Sequence, residues 1–298
     1  MRFLVSGLIN VETTLQIEGF PIAYEPVCYP FHGVNSTVAG VGYNISNALH
    51  TLDNEMDFLS LIGNDMVGNT VLQALAQDGI PQANVIRCES ATAQSVTLYD
   101  ADGKRMIHTD LKDIQEQVYP LERAKTALEK CDVAILCNIN FSRPLLKLAN
   151  EMAVLVATDV HAIRDADDPY NTDFMQYADI VFQSHERLTV TPETWATQLF
   201  ERTHVSIVGV GLGVDGALIA TRDGLCERIP SVMTRPVVST IGAGDSLFSA
   251  FLHTYMHTKD PRLAMRRAVV FASYKIGTKG AAEGFLTRGD WDKWMTAS

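Results

Sequence analysis

The segment Ser239-Thr240-Ile241-Gly242-Ala243-Gly244-Asp245 holds the residues best suited to do chemistry. Two glycines lead into an amphipathic helical pattern whose apolar stripe is Phe248, Phe251, Leu252 and Tyr255. Glycines let a backbone approach a ligand closely. The first amides of a helix, with the positive end of its dipole, form an anion site. Asp245 is out of place in a turn that only binds phosphate, because its carboxylate repels the ligand. It fits a turn in which the carboxylate accepts the proton of a hydroxyl as that hydroxyl attacks phosphorus. Local physics leaves one other account, a dipole-stabilised Asp at a glycine turn.

Two more glycine-rich stretches precede or follow regular elements. Ala39-Gly40-Val41-Gly42-Tyr43-Asn44 opens a helix, and the Asn44 amide could hydrogen-bond a polyol from its first turns. A glycine turn with a solvated Asn is the alternative. Gly7 to Glu12 follows the first strand, and Asn10 and Glu12 share one side of an extended chain. Ligands bind at the carboxyl ends of strands in open α/β sheets, so polar residues there are candidate contacts.

Other patterns carry no such chemistry. Gly211-Leu-Gly213-Val-Asp-Gly216 fits GxGxxG, but the dinucleotide fingerprint needs a helix next. Residues 217–220 and 225–229 around Asp223–Gly224 read instead as a β-hairpin. There is no GxxxxGK[ST] phosphate loop and no HExxH. His253 and His257, four apart, read as partners of a helix C-terminus. The five cysteines are odd in number and lack CxxC, which argues against a disulfide framework or a cysteine zinc site. Cys131 and Cys137 read as core residues.

The elements that must position these residues follow from hydrophobic periodicity. Strand patterns occur at 2–7, 57–62, 132–137, 153–158, 178–183, 204–210 and, just before the glycine turn, Pro236–Val238. Helical patterns occur at 42–52, 67–78, 120–130 and 143–152, then after Thr191–Pro192, and at 243–257 and 261–276. The alternation implies an α/β fold, a doubly wound, mostly parallel sheet with helices on both faces. Residues 13–37 and 94–110 break it. Both are extended and non-helical, the second with an Asp102–Gly103 turn, and they could pair as a small β-layer. No flexible linker or internal repeat divides the chain, so residues 1–298 read as a single domain.

Composition narrows the partners. The 298 residues are 47% apolar, too many for a disordered chain. Lys and Arg total 24 against 35 Asp and Glu, a net charge of −11 without a basic run, so nucleic acid is not an expected partner. An anionic ligand must be held by a local device. No apolar run reaches the about 18 residues of a membrane span, and Met1–Asn10 lacks the pattern of a signal peptide. Cytoplasmic residence is the expectation.

Together the segments resemble the ribokinase/PfkB family of carbohydrate kinases, in order and over nearly the whole chain. Asn10-Val11-Glu12 is similar to the family's Asn-x-Asp, and Ala39-Gly40-Val41-Gly42-Tyr43-Asn44 to its Gly-Gly-x-x-x-Asn sugar motif. Gly63-Asn64-Asp65-Met66-Val67-Gly68 is similar to Gly-x-Asp-x-x-Gly, and Ser239 to Asp245 to Asp-Thr-x-Gly-Ala-Gly-Asp. The resemblance implies a small β-sheet lid, built from 13–37 and 94–110, and transfer of a phosphoryl group from ATP with Mg²⁺ to a hydroxyl of a small sugar. It makes Asp245 the general base and the amides of Gly242, Ala243 and Gly244 the anion hole. Asn10, Glu12, Gly40, Asn44 and Asn140 would hold the sugar. Ser184, Thr240, Gly211, Gly213 and Gly216, and the region from Phe271 through Lys275 to Gly280, would flank the nucleotide.

Departures are specific. Glu12 replaces Asp and Ala39 replaces Gly. Ser239 replaces an Asp that in many relatives helps bind a monovalent cation, which removes the basis for expecting K⁺ dependence. In the family's Asn-x-x-Glu motif for Mg²⁺ and phosphates, Ser184 and Arg187 stand in, with Glu186 displaced by one residue as the remaining metal candidate. These departures leave two alternatives beside a sugar kinase: a nucleoside kinase of the same family, and a sugar- or nucleotide-binding protein with weakened catalysis. Pairing of lid edges into a homodimer is compatible with Phe20, Ile22, Tyr24 and Phe31.

Overall fold

The computed structural model describes residues 1–102 and 104–297. Strands and helices are numbered in chain order. The large sheet holds β1 (Arg2–Ser6), β4 (Glu55–Gly63), β5 (Val85–Cys88), β8 (Val133–Leu136), β9 (Leu155–Asp159), β10 (Ile180–Ser184), β11 (Ile207–Gly211), β12 (Ala217–Thr221) and β13 (Cys226–Ile229). Their order is β13-β12-β11-β10-β9-β8-β1-β4-β5. All neighbours run parallel except β11–β12 and β12–β13. The hairpin after Gly211 is therefore antiparallel, as its pattern predicts.

Central strands are apolar along most of their length because both faces are covered. In β1, Phe3 and Val5 join one core and Leu4 the other. The first core takes residues of α1 (Val41–Thr51), α2 (Met66–Gln77), α7 (Ala243–Thr258) and α8 (Pro261–Lys275). The second takes α3 (Leu121–Leu128), α4 (Arg143–Glu151), α5 (Thr172–Tyr177) and α6 (Pro192–Arg202). Phe182 of β10 sits 4.9 and 5.0 Å, ring centre to ring centre, from Phe248 and Phe251, which fastens α7 to the sheet. Full burial of each such ring contributes about 1.5–3 kcal/mol. Helix starts follow the sequence: Thr191 caps α6 and Asp260 caps α8, each followed by proline.

A second sheet, β3-β2-β6-β7, comprises β2 (Asn10–Gln16), β3 (Val34–Ala39), β6 (Gln94–Tyr99) and β7 (Arg105–Asp110). It is the β-layer expected from 13–37 and 94–110, but it begins at Asn10 and ends its first arm at Ala39. Gly103, in the expected Asp102–Gly103 turn, lies outside the described residues. The chain passes from β1 into β2 within three residues, and from β3 into α1 across Gly40 alone. The second sheet is thereby rooted at the carboxyl end of β1.

Three further differences from the sequence pattern have simple causes. Pro236–Val238 is not a strand; its Val238 amide bonds Ile276 O, just past the end of α8, instead of a neighbouring strand. The short elements β5 and α5, and α9 (Arg288–Ala297), give weak periodicity; Trp291 of α9 is nonetheless fully buried. His253 is not a partner of the helix end: it is 7% exposed and its Nδ1 is 3.1 Å from Asn54 Oδ1. Burial pushes it down to about 3, so it is neutral. No helix among the described residues is long and apolar enough to cross a membrane.

Candidate active site

The glycine turns bring α1 and α7 together at the carboxyl end of β1. The amides of Gly42 and Tyr43 donate to Leu8 O at 3.0 and 3.3 Å, pinning the start of α1 to the loop after β1. A Cβ on Gly42 would stand 2.6–2.8 Å from backbone atoms of Gly7, so no other residue allows that approach. Gly242, the residue before α7, has φ +75°, and a Cβ there would lie 2.5 Å from Ala281 O. Glycine is the residue that adopts this conformation freely.

Asn44 of α1 and Asp245 of α7 meet in this cleft. Asn44 Nδ2 donates to Asp245 Oδ2 at 2.6 Å. Burial pushes the Asp245 carboxyl up to about 6, and the Asn44 bond opposes the rise. That value suits a group that is ionised near neutral pH yet basic enough to take a proton. The amides of Gly242 and Gly244 have no hydrogen-bond partner among the described residues. Ala243, the third expected donor, is committed inward, with its amide on Thr240 O at 3.2 Å. Two donors, not three, are left without a partner among the described residues at the start of a helix of 16 residues.

Asp159 borders this cleft, and the sequence pattern does not single it out. It ends β9, is 7% exposed, and its Oδ1 accepts from the His161 amide at 2.7 Å. Its Oδ2 would be 4.0 Å from a Cβ on Gly244. Burial raises its carboxyl; burial first, and then Asp245 and Asp159, push the Cys137 thiol just after β8 upward. Its only sequence signal is an acidic residue at a parallel strand's carboxyl end.

The wall contributed by β2 is lined with acceptors. Asn10 Nδ2 donates to Ser95 Oγ at 2.8 Å, leaving Asn10 Oδ1 without a partner. Thr97 Oγ1 donates to Glu12 Oε2 at 3.1 Å, leaving Glu12 Oε1 without one. Asn44 Oδ1 is likewise buried and unpartnered. Burial raises the Glu12 carboxyl, with Thr97, Lys275 and Arg105 opposing. Gly40 lies against Asn10; a Cβ on it would be 3.0 Å from Asn10 Oδ1. Buried acceptors rarely lack donors, and such a set is free to accept from a ligand's hydroxyls.

The remaining expected residues are more dispersed. Asn140 is tied into structure, with its amides on Gln115 and its Oδ1 accepting from Arg143. Ser184 caps the turn after β10 by accepting from the Glu186 amide, and Glu186 is exposed. Gly211 ends β11, its carbonyl 2.9 Å from His185 Nδ1, while Gly213 and Gly216 shape the turn into β12. Thr240 is exposed, and Arg105 of β7 donates to its Oγ1 at 2.8 Å, linking the second sheet to the glycine turn. Gly280 donates its amide to Glu283 Oε1 at 2.6 Å. Lys275 has no exposed surface to offer a nucleotide, and its Nζ donates to Ile241 O. Asp65, of the Gly-x-Asp-x-x-Gly segment, caps α2 and accepts from Thr92.

Residues 4–288 match the family model of pfkB family carbohydrate kinases. The chain belongs to that family. It is therefore a carbohydrate kinase, a phosphotransferase that moves a phosphoryl group from ATP to an alcohol. Acarbose 7(IV)-phosphotransferase of Actinoplanes sp. is 23% identical over 288 residues, 96% of this chain and 95% of that protein. An ATP-dependent ribose-1-phosphate kinase of Halopiger xanaduensis is 25% identical, covering 94% of each. Among solved structures, a microbiome-derived acarbose kinase superposes with a TM-score of 0.89 at 25% identity, covering 99% of this chain and 98% of that one. Thermotoga maritima ribokinase superposes at 0.80 with 20% identity and 99% coverage of both, which shows the shared fold.

Proposed function

We propose that the chain phosphorylates a hydroxyl of a small sugar, with Asp245 as general base. The observation that carries the reading is the pairing of a raised, buried carboxylate with unpartnered acceptors at Asn10, Glu12 and Asn44. A polyol donates several hydrogen bonds to such a wall and presents one hydroxyl to Asp245. The proton passes to Asp245 as the oxygen attacks phosphorus. Gly242 and Gly244 supply the amides facing the charge that builds on the transferred group.

ATP lies, on this reading, over the turn Gly211–Gly216 and the stretch from Thr278 to Gly280. Mg²⁺ needs only one or two carboxylates besides phosphate oxygens and waters. Asp159, with Oδ2 turned toward Gly244, and the exposed Glu186 are hard oxygen donors of that kind and would hold it. When bound, the ion neutralises phosphate charge. The second sheet acts as a lid, with Glu12 and Arg105 on the face turned inward. Its other face exposes Val34, Val96 and Met106, through which a second copy would pair. The five cysteines are unpaired, in keeping with a reducing, cytoplasmic setting.

A panel of monosaccharides, oligosaccharides and nucleosides with Mg-ATP tests the reading. Turnover on a sugar that drops about 10²–10⁴-fold in Asp245→Asn supports it. Faster turnover on nucleosides makes the chain a nucleoside kinase. Sugar-induced thermal stabilisation without turnover makes it a binding protein.

A further inference from the structure

Behind the anion hole sits a charge that the proposed chemistry leaves unused. Lys275 ends α8 and is 0% exposed, yet it is a lysine. Its Nζ donates to the main-chain carbonyl of Ile241. An ammonium in that position is costly to bury unless something balances it. Asp245, Glu283 and Glu12 favour its charged form, and burial, the largest influence, lowers it to about 8. At neutral pH the group remains mostly protonated.

The carbonyl it holds belongs to the same peptide unit as the Gly242 amide. A trans peptide is planar, and its C=O and N–H point in opposite directions. Drawing the Ile241 oxygen inward therefore aims the Gly242 N–H outward, to the anion side of the turn. The ammonium also polarises that peptide and adds positive charge behind the two unpartnered donors. A monovalent cation bound at this loop would do the same. The residues here do not fit one. Position 239 offers a serine hydroxyl, which already accepts from the Ile241 amide at 3.3 Å, and the Ile241 oxygen is taken by Lys275.

We infer that the Lys275 ammonium is a built-in replacement for a monovalent cation behind the anion hole, a positioning residue that makes the enzyme independent of K⁺. This rests on Gly242 and Gly244 forming the anion hole.

Two measurements test it. The unmodified protein is melted with and without ADP, and assayed, in chlorides of K⁺, Na⁺ and tetramethylammonium at equal ionic strength. Melting midpoints and turnover should match across the three salts. A K⁺-specific rise in either overturns the inference, and the melts decide even where no sugar is turned over, which would count against the kinase reading alone. Lys275→Met keeps bulk and removes charge. Its kcat should fall by about tenfold or more, with sugar KM little changed, because the donor is misaimed in the transition state. Full kcat in a variant that melts like the parent overturns the inference. The double variant Ser239→Asp/Lys275→Ala should acquire K⁺-dependent melting; melting still indifferent to K⁺ counts against the replacement.

Discussion

Removing the Asn44 amide isolates what holds Asp245 ionised. The bond from Asn44 Nδ2 to Asp245 Oδ2 is 2.6 Å long and opposes a burial that raises the carboxyl to about 6. A hydrogen bond to a charged group is worth about 1.5–3 kcal/mol. At about 1.36 kcal/mol per pKa unit, Asn44→Ala should raise Asp245 by about one to two units. The proposed base, Asp245, would be about nine-tenths ionised at neutral pH in the parent, and between about a half and a tenth in the variant. The acid limb of kcat/KM should move up by that interval, with a two- to tenfold loss at neutral pH from this cause alone, on the order expected from the ionised fraction. Raising the pH should recover that part. Any loss that persists at high pH would measure the proposed bond from Asn44 to the substrate. The assay is a pH–rate profile of both proteins on one sugar. An acid limb that stays where it is in Asn44→Ala would refute the idea that this bond tunes the base.

Gly42→Ala should destabilise the protein by about 1–3 kcal/mol, since a Cβ there overlaps the Gly7 backbone; chemical denaturation reads it, and an unchanged midpoint contradicts the tight approach. His253 is held down at about 3 against an ordinary 6.5, so the unfolded chain gains a proton first as pH falls. Stability contributed by the neutral, buried ring is therefore lost on acidification from about 6.5 toward 3. His253→Asn should flatten that part of the melting-versus-pH curve, and parallel curves would rule out His253 as a cause. Asp245 acts in the opposite sense: its raised carboxyl makes the fold less stable as pH climbs from about 4 to 6, and Asp245→Asn should remove that slope in the same melts. Val96→Lys, on the outer face of the second sheet, should leave a monomer; a sedimentation coefficient equal to the parent's would remove the proposed pairing.

The glycine turn, the two long helices after it and the parallel core were legible because each has a local signature: two glycines before an apolar stripe, a capped helix start, a short apolar run. Asp245 and Asn44 were legible as candidates, but their bond joins positions 201 residues apart, and no local pattern reports it. Asp159 was hidden for the same reason. It stands next to Gly244 only because β9 and the start of α7 meet at the sheet's carboxyl end. Lys275 misled in the other direction. The resemblance sets it in the region that flanks the nucleotide, whereas the last turn of α8 carries it inward to Ile241 O. The Ala243 amide could not be told from its neighbours by sequence, because which donor turns inward depends on the φ of Gly242.

The net charge of −11 sets the problem that these details solve. An acidic surface gives no general attraction for a triphosphate, and the site itself adds Asp159, Glu12 and Asp245. Their field would oppose phosphate binding if it reached the transferred group undiminished. In the proposed site three positive features would stand nearer to that group: the unpartnered amides of Gly242 and Gly244, the N-terminal end of α7, and the Lys275 ammonium one peptide behind them. Arg105 adds a fourth from the second sheet, through Thr240. Fixed dipoles and charges aimed from a few ångströms outweigh dispersed surface charge, which solvent and salt screen over about 8–10 Å. The carboxylates then act on the other reactant, where acceptors are needed. On the proposed assignment, placing donors on the phosphate side and acceptors on the hydroxyl side would let one acidic chain bring a nucleotide and a polyol together.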